Sequence, residues 1–350
     1  MKIIAWTHNL GRSGAPIILF RLLRRLRERH AVTVLAPERG DEPLRAEYEA
    51  LGIPCRYDVG SKDFDVFLVN TLTGGDQVVR AHRTLPCLWW IHEPRFGLRY
   101  VEKGEADMRA FGCAQMVVFP TRWQAEAVYA PWLTRRNWRV VPYGMGLDTV
   151  ARPAPFRREP GRFYLLHLGT VDHRKGADVT CRAVNLIDDP RVKVLFVGAP
   201  ARPAMVTRHG RPDRFELVGE CSEEVVSAYL QHCDALVFPT RDDLVTLAIL
   251  EALQFGLPVL ASDFGPIPQT IRHGYTGLLS PVGDPRVLAG NIKALLNDPV
   301  LRERFRREGP RIQQRDHGFE AHVAGMEAAL EGAIERTAGD QRRITPGVSA

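Results

Sequence analysis

Short apolar runs recur along the chain, each closed by glycine, proline or a polar residue: KIIAW at 2–6, AVTVLA at 31–36, DVFLVN at 65–70, CLWWI at 87–91, MVVF at 116–119 and WRVV at 138–141. Runs of this length without alternation suit strands buried on both faces of a parallel sheet. Between them lie stretches with apolar residues at helical spacing, such as Ile17–Arg29 and Pro43–Leu51. A second series starts at FYLLHLG (163–169) and continues with VKVLFVG (192–198), FELVG (215–219), ALVF (235–238) and PVLAS (258–262). Separating the two is ARPAPFRREPGR (151–162), whose prolines limit helix and strand alike. The pattern predicts an α/β protein of two Rossmann-like domains, 1–150 and 163–315, joined by a linker over 151–162. A helix over 316–336 is expected to return to the first domain, and 337–350 to be a disordered tail.

A length of 350 residues fits two cores better than one. Hydrophobic residues make up 45% and charged residues 25%, a globular balance. Six scattered cysteines without a C-x2-C pair favour reduced thiols over a disulfide framework or a zinc site. Met1 leads straight into a strand and no apolar stretch is long enough to span a bilayer, so a cytoplasmic protein without a leader is expected. The net charge of +6 means attraction to anions, be they nucleic acid, anionic lipid or a phosphorylated substrate.

Candidate chemistry concentrates in Pro239–Ser262, PTRDDLVTLAILEALQFGLPVLAS. Thr246–Phe255 sets Leu247, Leu250, Glu251 and Leu253 at helical spacing, Gly256 stops the helix, and a strand follows at once. Asp243 in the loop and Glu251 two turns into the helix form an acidic-x7-Glu spacing that can direct both at one ligand. Ligands of open α/β sheets bind at the carboxyl edge of the strands. The helix start at Thr246–Leu247 offers unpaired N–H groups and a dipole to a phosphate. In the first half, the loop HNLGRSGAP carries Gly11 and Gly14, which let backbone approach a ligand, although a plain βα turn explains it equally well. It is not G-x-G-x-x-G, which sets aside a dinucleotide dehydrogenase. CLWWI ends in His92-Glu93-Pro94, an imidazole and a carboxylate at the sheet edge. The helix after the first loop interleaves apolar residues with Arg21, Arg24, Arg25, Arg27 and Arg29; a solvated basic face and a surface for anionic lipid headgroups account for it equally. Thr121 and Ser222 read as helix caps.

The stretch from Pro239 to Ser262 resembles the E-x7-E signature of retaining glycosyltransferases of family 4, which have the GT-B fold: two Rossmann-like parallel-sheet domains facing a central cleft. Asp243 stands where that family usually has Glu. The resemblance implies that Thr246 and Leu247 meet the donor diphosphate, Glu251 the ribose hydroxyls and Asp243 the transferred sugar. The arrangement LG-x5-KG at 168–176 resembles the family's phosphate-gripping Arg/Lys pair, with Lys175 matching the lysine, Thr170 in the arginine's place and Arg174 available as a substitute. His92 is implied as a catalytic contact near the sugar and the acceptor, with Glu93 and Gly11 on the acceptor side and Gly14 on the donor side. YGMGLD (143–148) is similar to the family's P-N-G-V-D stretch, and Gln269 replaces a usual Glu.

What the resemblance implies is a retaining, metal-independent enzyme that moves a sugar from a nucleotide-diphosphate-sugar donor to a hydroxyl of a saccharide or lipid-linked acceptor in cell-surface glycan biosynthesis. The donor is a co-substrate; no cofactor, metal or nucleic acid is expected, and peripheral contact with an anionic membrane is. Two other readings stay open. One is another GT-B enzyme, an epimerase or a phosphorylase. The other is a degenerate nucleotide-sugar-binding protein without turnover, motivated by Thr170, Asp243 and Gln269. Nucleic-acid binding has only the charge in its favour, because no helix-turn-helix, RNP or zinc-finger pattern is present.

Overall fold

A computed structural model describes residues 1–37, 42–58, 60, 63–209, 211–244 and 246–344, with side chains through residue 337. The chain divides into two compact units, Met1–Pro142 with the chain from Glu320 onward, and Tyr143–Phe319. Unit one runs β1 (Lys2–Trp6), α1 (Gly14–Leu26), β2 (Ala31–Leu35), α2 (Pro43–Ala50), β3 (Cys55–Arg56), β4 (Val66–Asn70), α3 (Gly75–Ala81), β5 (Cys87–Trp90), α4 (Leu98–Glu102), α5 (Ala110–Cys113), β6 (Met116–Phe119), α6 (Arg122–Ala127) and β7 (Trp138–Val140). Unit two follows with β8 (Phe163–Leu168), α7 (Ala177–Asn185), β9 (Val192–Val197), α8 (Ala204–Thr207), β10 (Phe215–Gly219), α9 (Glu223–His232), β11 (Ala235–Phe238), α10 (Leu247–Gln254), β12 (Val259–Ser262), α11 (Ile267–Thr270), β13 (Gly277–Ser280), α12 (Pro285–Asn297) and α13 (Pro299–His317). The last helix, α14 (Phe319–Ile344), packs with unit one.

Both sheets are parallel, with strand orders β3-β2-β1-β4-β5-β6-β7 and β10-β9-β8-β11-β12-β13. Each order reverses direction once, between β1 and β4 and between β8 and β11. Loops leaving the carboxyl ends of those strands diverge to opposite faces and open a crevice, the place where doubly wound sheets bind ligands. The central runs, on β4, β5, β6, β8, β11 and β12, are buried on both faces, as covered parallel strands require, while β2, β7 and β10 nearer the sheet edges are only partly buried. On β5, Trp89 packs against Phe111 at 4.8 Å between ring centroids, while Trp90 on the opposite face meets His92 at 4.4 Å.

Four boundaries differ from the sequence-based expectation. Helix α1 starts at Gly14 rather than Ile17, because Pro16 in the first turn needs no N–H partner. The boundary between units falls at Pro142/Tyr143, ahead of the expected linker at 151–162. That linker is fastened to unit two: Gln231 and Gln254 side chains pair with the backbone of Val150, Arg152 and Leu147 at 2.8–3.0 Å, and Phe156 stacks on Tyr229. Proline kept this segment out of helix and strand but not off the surface. Thirdly, the expected disordered tail at 337–350 is helical as far as Ile344, since nothing before Pro346 forbids a helix; its remainder, 345–350, lies outside the described residues. Finally, β13 was not foreseen, its GLLS run being too short to stand out.

The basic face of α1 is largely satisfied inside unit one. Arg25 pairs with Glu28 and with Glu320, Arg29 lies 2.7 Å from Glu327, Arg27 donates to the Leu51 carbonyl, and Arg21 is buried. Acids of α14 therefore take up much of the charge that suggested a lipid surface. Among the described residues no helix is long and apolar enough to cross a membrane.

Candidate functional site

In unit two the loops after β8 and β11 are seated on one another through Gly176. Its φ of +79° is in the left-handed region, and a Cβ there would lie 2.0 Å from the Pro239 carbonyl oxygen, so no other residue allows the approach. The Arg241 N–H and the Thr240 hydroxyl both donate to the Arg174 carbonyl, at 2.8 and 3.1 Å. This seam brings three of the expected residues together. Lys175 Nζ is 2.5 Å and Arg174 Nη1 3.0 Å from the same Asp243 oxygen, and Arg174 also donates to the Asp242 carbonyl at 3.0 Å. Burial draws the Lys175 ammonium below the usual lysine range, with Asp243 opposing. Two cations thus converge on one carboxylate, with Asp172 also close enough to act on Lys175, and cations of this kind suit a phosphate.

A second ionic knot flanks the first. Asp178, in the first turn of α7, receives Arg241 at 2.7 and 2.8 Å and Arg182 at 2.9 Å. Burial alone would raise this carboxyl, but the guanidinium groups outweigh it and hold it below the ordinary value. Above β11, Thr246 occupies the N-cap position of α10 without capping it, and its hydroxyl is buried with no hydrogen-bond partner among the described residues. The Ser262 hydroxyl at the end of β12 is in the same condition. Buried polar groups are normally paired. Leu247 is the first helical residue, and Glu251 is buried one turn on. Gly256 has the positive φ of a C′ glycine, +66°.

The expected direction of Asp243 toward a sugar is not what this arrangement displays, since its carboxylate faces Lys175 and Arg174. Ser222 sits at the N-cap of α9 but its hydroxyl makes no cap bond, whereas Thr121 caps α6 through the Gln124 N–H at 3.1 Å.

Unit one presents a different edge. His92 Nε2 is 2.6 Å from Asn70 Oδ1, at the end of β4, and Asn70 Nδ2 donates to the Ala15 carbonyl at 3.2 Å. Burial pushes the His92 imidazole down to about 3, with His322 and His8 adding to the effect. Glu93 does not bind that ring. Its Oε2 accepts the backbone N–H groups of Leu72 at 2.9 Å and His92 at 3.1 Å, and burial raises its carboxyl to about 7 against those bonds. Between Asn70 and Leu72, Thr71 has φ +73° and ψ 158°, a region that belongs to glycine. The strained peptide is held by Trp89 Nε1–H donating to the Thr71 carbonyl at 2.8 Å and by the Thr71 N–H on the Trp90 carbonyl at 2.9 Å. Gly11 donates to Asn9 Oδ1 at 3.0 Å, and a Cβ on Gly14 would meet nothing, so the protein itself does not require glycine there.

A sequence model of one family, described as glycosyl transferases group 1, matches residues 152–312. The match lies within unit two. The matched segment contains Arg174, Lys175, Asp178, Arg241, Asp243 and Glu251, hence the whole charged edge of that unit. The chain is similar to alpha-D-kanosaminyltransferase of Streptomyces kanamyceticus, 30% identical over 167 residues that make up 45% of this chain and 43% of that protein. It is similar also to D-inositol 3-phosphate glycosyltransferase of Nocardia farcinica, 32% identical over 210 residues, 53% of this chain and 45% of that protein. The matches thus span less than half the length of these two curated relatives. Among solved structures, Anabaena HepE in complex with UDP-glucose superimposes with a TM-score of 0.79 at 17% identity, over 94% of this chain and 100% of that one. The fold is GT-B.

Sequence reasoning missed Asn70, Thr71, Asp178 and Arg241. Asn70 carried a signal, a polar residue closing an otherwise apolar run, DVFLVN. Thr71 carried none, because a backbone dihedral angle imposed by neighbours leaves no mark on residue type.

Proposed function

We propose that this chain is a retaining glycosyltransferase that takes a nucleoside-diphosphate sugar as donor and the hydroxyl of a saccharide or lipid-linked molecule as acceptor, in glycan biosynthesis at the cytoplasmic side of a membrane. The observation that carries the reading is the pair of cations, Lys175 and Arg174, on the group 1 edge of unit two beside the N-terminus of α10. Such a cluster suits a diphosphate, which supports the reading. As the bond from the anomeric carbon to the diphosphate oxygen breaks, the cations and the α10 N–H groups stabilise the leaving charge without a metal ion. The acceptor oxygen forms the new bond on the face the diphosphate leaves, and its proton passes to a diphosphate oxygen. Thr246 and Ser262 have hydroxyls to offer the phosphates, and Glu251 takes the ribose hydroxyls. Asp243, now the counter-ion of Lys175, yields part of that role to the diphosphate and turns to the sugar. On unit one, neutral His92 and Glu93, whose carboxyl is raised to about 7, suit hydroxyl ligands, with Gly11 on the acceptor side and Gly14 on the donor side.

The test is thermal unfolding with UDP, GDP, ADP and TDP, for the wild type and Glu251→Ala, with and without EDTA. A nucleotide at about a hundred times its dissociation constant adds about 2.7 kcal/mol, several degrees in Tm. We expect one base to shift the wild type, the variant to lose the shift, and EDTA to leave it unchanged. Retention is read from the anomeric configuration of the product by NMR. A nucleotide shift without product from any acceptor favours a binding protein without turnover, the reading that the Asp243 pairing supports. Product formed from the donor alone points to an epimerase.

A further inference from the structure

We infer that Asn70 is a positioning residue: anchored on the Ala15 carbonyl, its amide holds His92 as the neutral imidazole with the proton on Nε2. The inference rests on the reading of unit one as the hydroxyl-binding side. Two hydrogen bonds carry the assignment. Asn70 Nδ2 can only donate, and it faces a carbonyl oxygen, Ala15 O, at 3.2 Å. The amide oxygen must then face His92, and an oxygen can only accept, so the 2.6 Å contact requires the imidazole proton on Nε2. Nδ1 is left carrying the lone pair.

The choice of asparagine matters for charge. A carboxylate at position 70 would accept the same bond and draw a second proton onto the ring; a neutral amide accepts it without stabilising the imidazolium. The groups facing His92 agree, since His8 after β1 and His322 on α14 disfavour a positive ring, and Glu93, next in the chain, spends its carboxylate on the Leu72 and His92 backbone N–H groups. Transfer from an anomeric carbon develops positive charge on the sugar. A neutral imidazole can bind a hydroxyl there without opposing that charge. Strain supplies a reason why Asn70 stays in place: the glycine-like dihedrals of Thr71 turn the chain directly after Asn70, so that Leu72 N–H meets Glu93 while Asn70 reaches His92 and the first turn of α1. The first glycine loop and His92 are thereby tied through one amide.

The experiment is long-range 1H–15N NMR of the full chain labelled at histidine, between pH 5.5 and 8, together with pH profiles of kcat/KM. His92 of the wild type is expected as the Nε2–H tautomer, uncharged across the range. Asn70→Asp should make His92 titrate within it and give kcat/KM a new acid limb. Asn70→Leu should mix the tautomers and lower kcat/KM by about ten- to a hundredfold, by analogy with the range that partners behind a metal-bound histidine carry. A wild-type His92 protonated on Nδ1, or an Asn70→Asp variant whose His92 remains neutral at pH 5.5, overturns the inference, and the first of these needs no variant to fold. The tautomer is read without substrate, so a chain that shows the expected spectra but forms no product with any donor sinks the transferase reading and leaves the positioning role standing.

Discussion

The two units share a topology and differ in how their equivalent edges are built. Unit two places its candidate residues after β8 and β11, where strand order reverses, whereas unit one places Asn70 at the end of β4, beside its own reversal, and His92 and Glu93 after the next strand, β5. Unit two fills that position with charge, Lys175 and Arg174 on Asp243 and Arg241 and Arg182 on Asp178. Its tight backbone is given to glycine: Gly169, Gly176, Gly198 and Gly219 all have positive φ. Unit one uses neutral groups, a histidine kept uncharged and a carboxyl raised to about 7, and forces a threonine into a glycine conformation. The sheet decides where a ligand can be met; the loops decide what charge it meets. Under the proposed function a diphosphate and a hydroxyl make opposite demands on that charge, and the two unlike edges match those demands.

The largest expected effect breaks the unit-two edge. Gly176→Ala drives a Cβ to 2.0 Å from the Pro239 carbonyl and imposes a left-handed φ on alanine, and we expect a loss on the order of 4 kcal/mol in chemical denaturation, with nucleotide binding abolished. A loss below about 1 kcal/mol would show that the two loops are not seated as described.

Next comes the contrast between carboxyls. Glu93 has its folded value raised to about 7 from 4.5, so its contribution is present below pH 4.5 and is lost as pH rises through 7. Asp178 is lowered from 3.8, so its contribution is present above that value and is lost on acidification. Glu93→Gln, which mimics the protonated form, should therefore improve on the wild type more at pH 8 than at pH 4, by on the order of 2 kcal/mol. Denaturation midpoints of both proteins at the two pH values measure it, and an equal difference at both would place Glu93 in water. His167 on β8, held neutral near 3 by burial, acts the other way: both proteins should lose stability together as pH falls below 6.5.

The smallest effect sharpens the strain. Thr71→Gly relieves an unfavourable φ and should raise stability by about 1 kcal/mol, although glycine gives back part of the gain through its freer unfolded chain. If that strain keeps Asn70 aligned, the same variant lowers turnover while raising Tm. A lower Tm would mean that the Thr71 side chain, 3.0 Å from the Thr73 hydroxyl, outweighs the strain.

Apolar runs and their spacing determined the alternation of strands and helices, the two parallel sheets and the placing of candidates at strand ends, because burial on both faces of a strand leaves a local, periodic record in residue type. Spacing also made Asp243 and Glu251 visible, and the resemblance to a family motif made Lys175 so. The tertiary structure alone decided what those charges do. That Asp243 serves Lys175 and Arg174, across 68 and 69 positions, follows from two loops meeting through Gly176. That His92 answers to Asn70 rather than to neighbouring Glu93 follows from β4 lying beside β5. Nor could the linker's docking or the strain at Thr71 be read in advance. Hydrogen bonds and ion pairs are settled by distances of about 3 Å between groups far apart in the chain, and a sequence keeps residue types but not which of them are brought within reach.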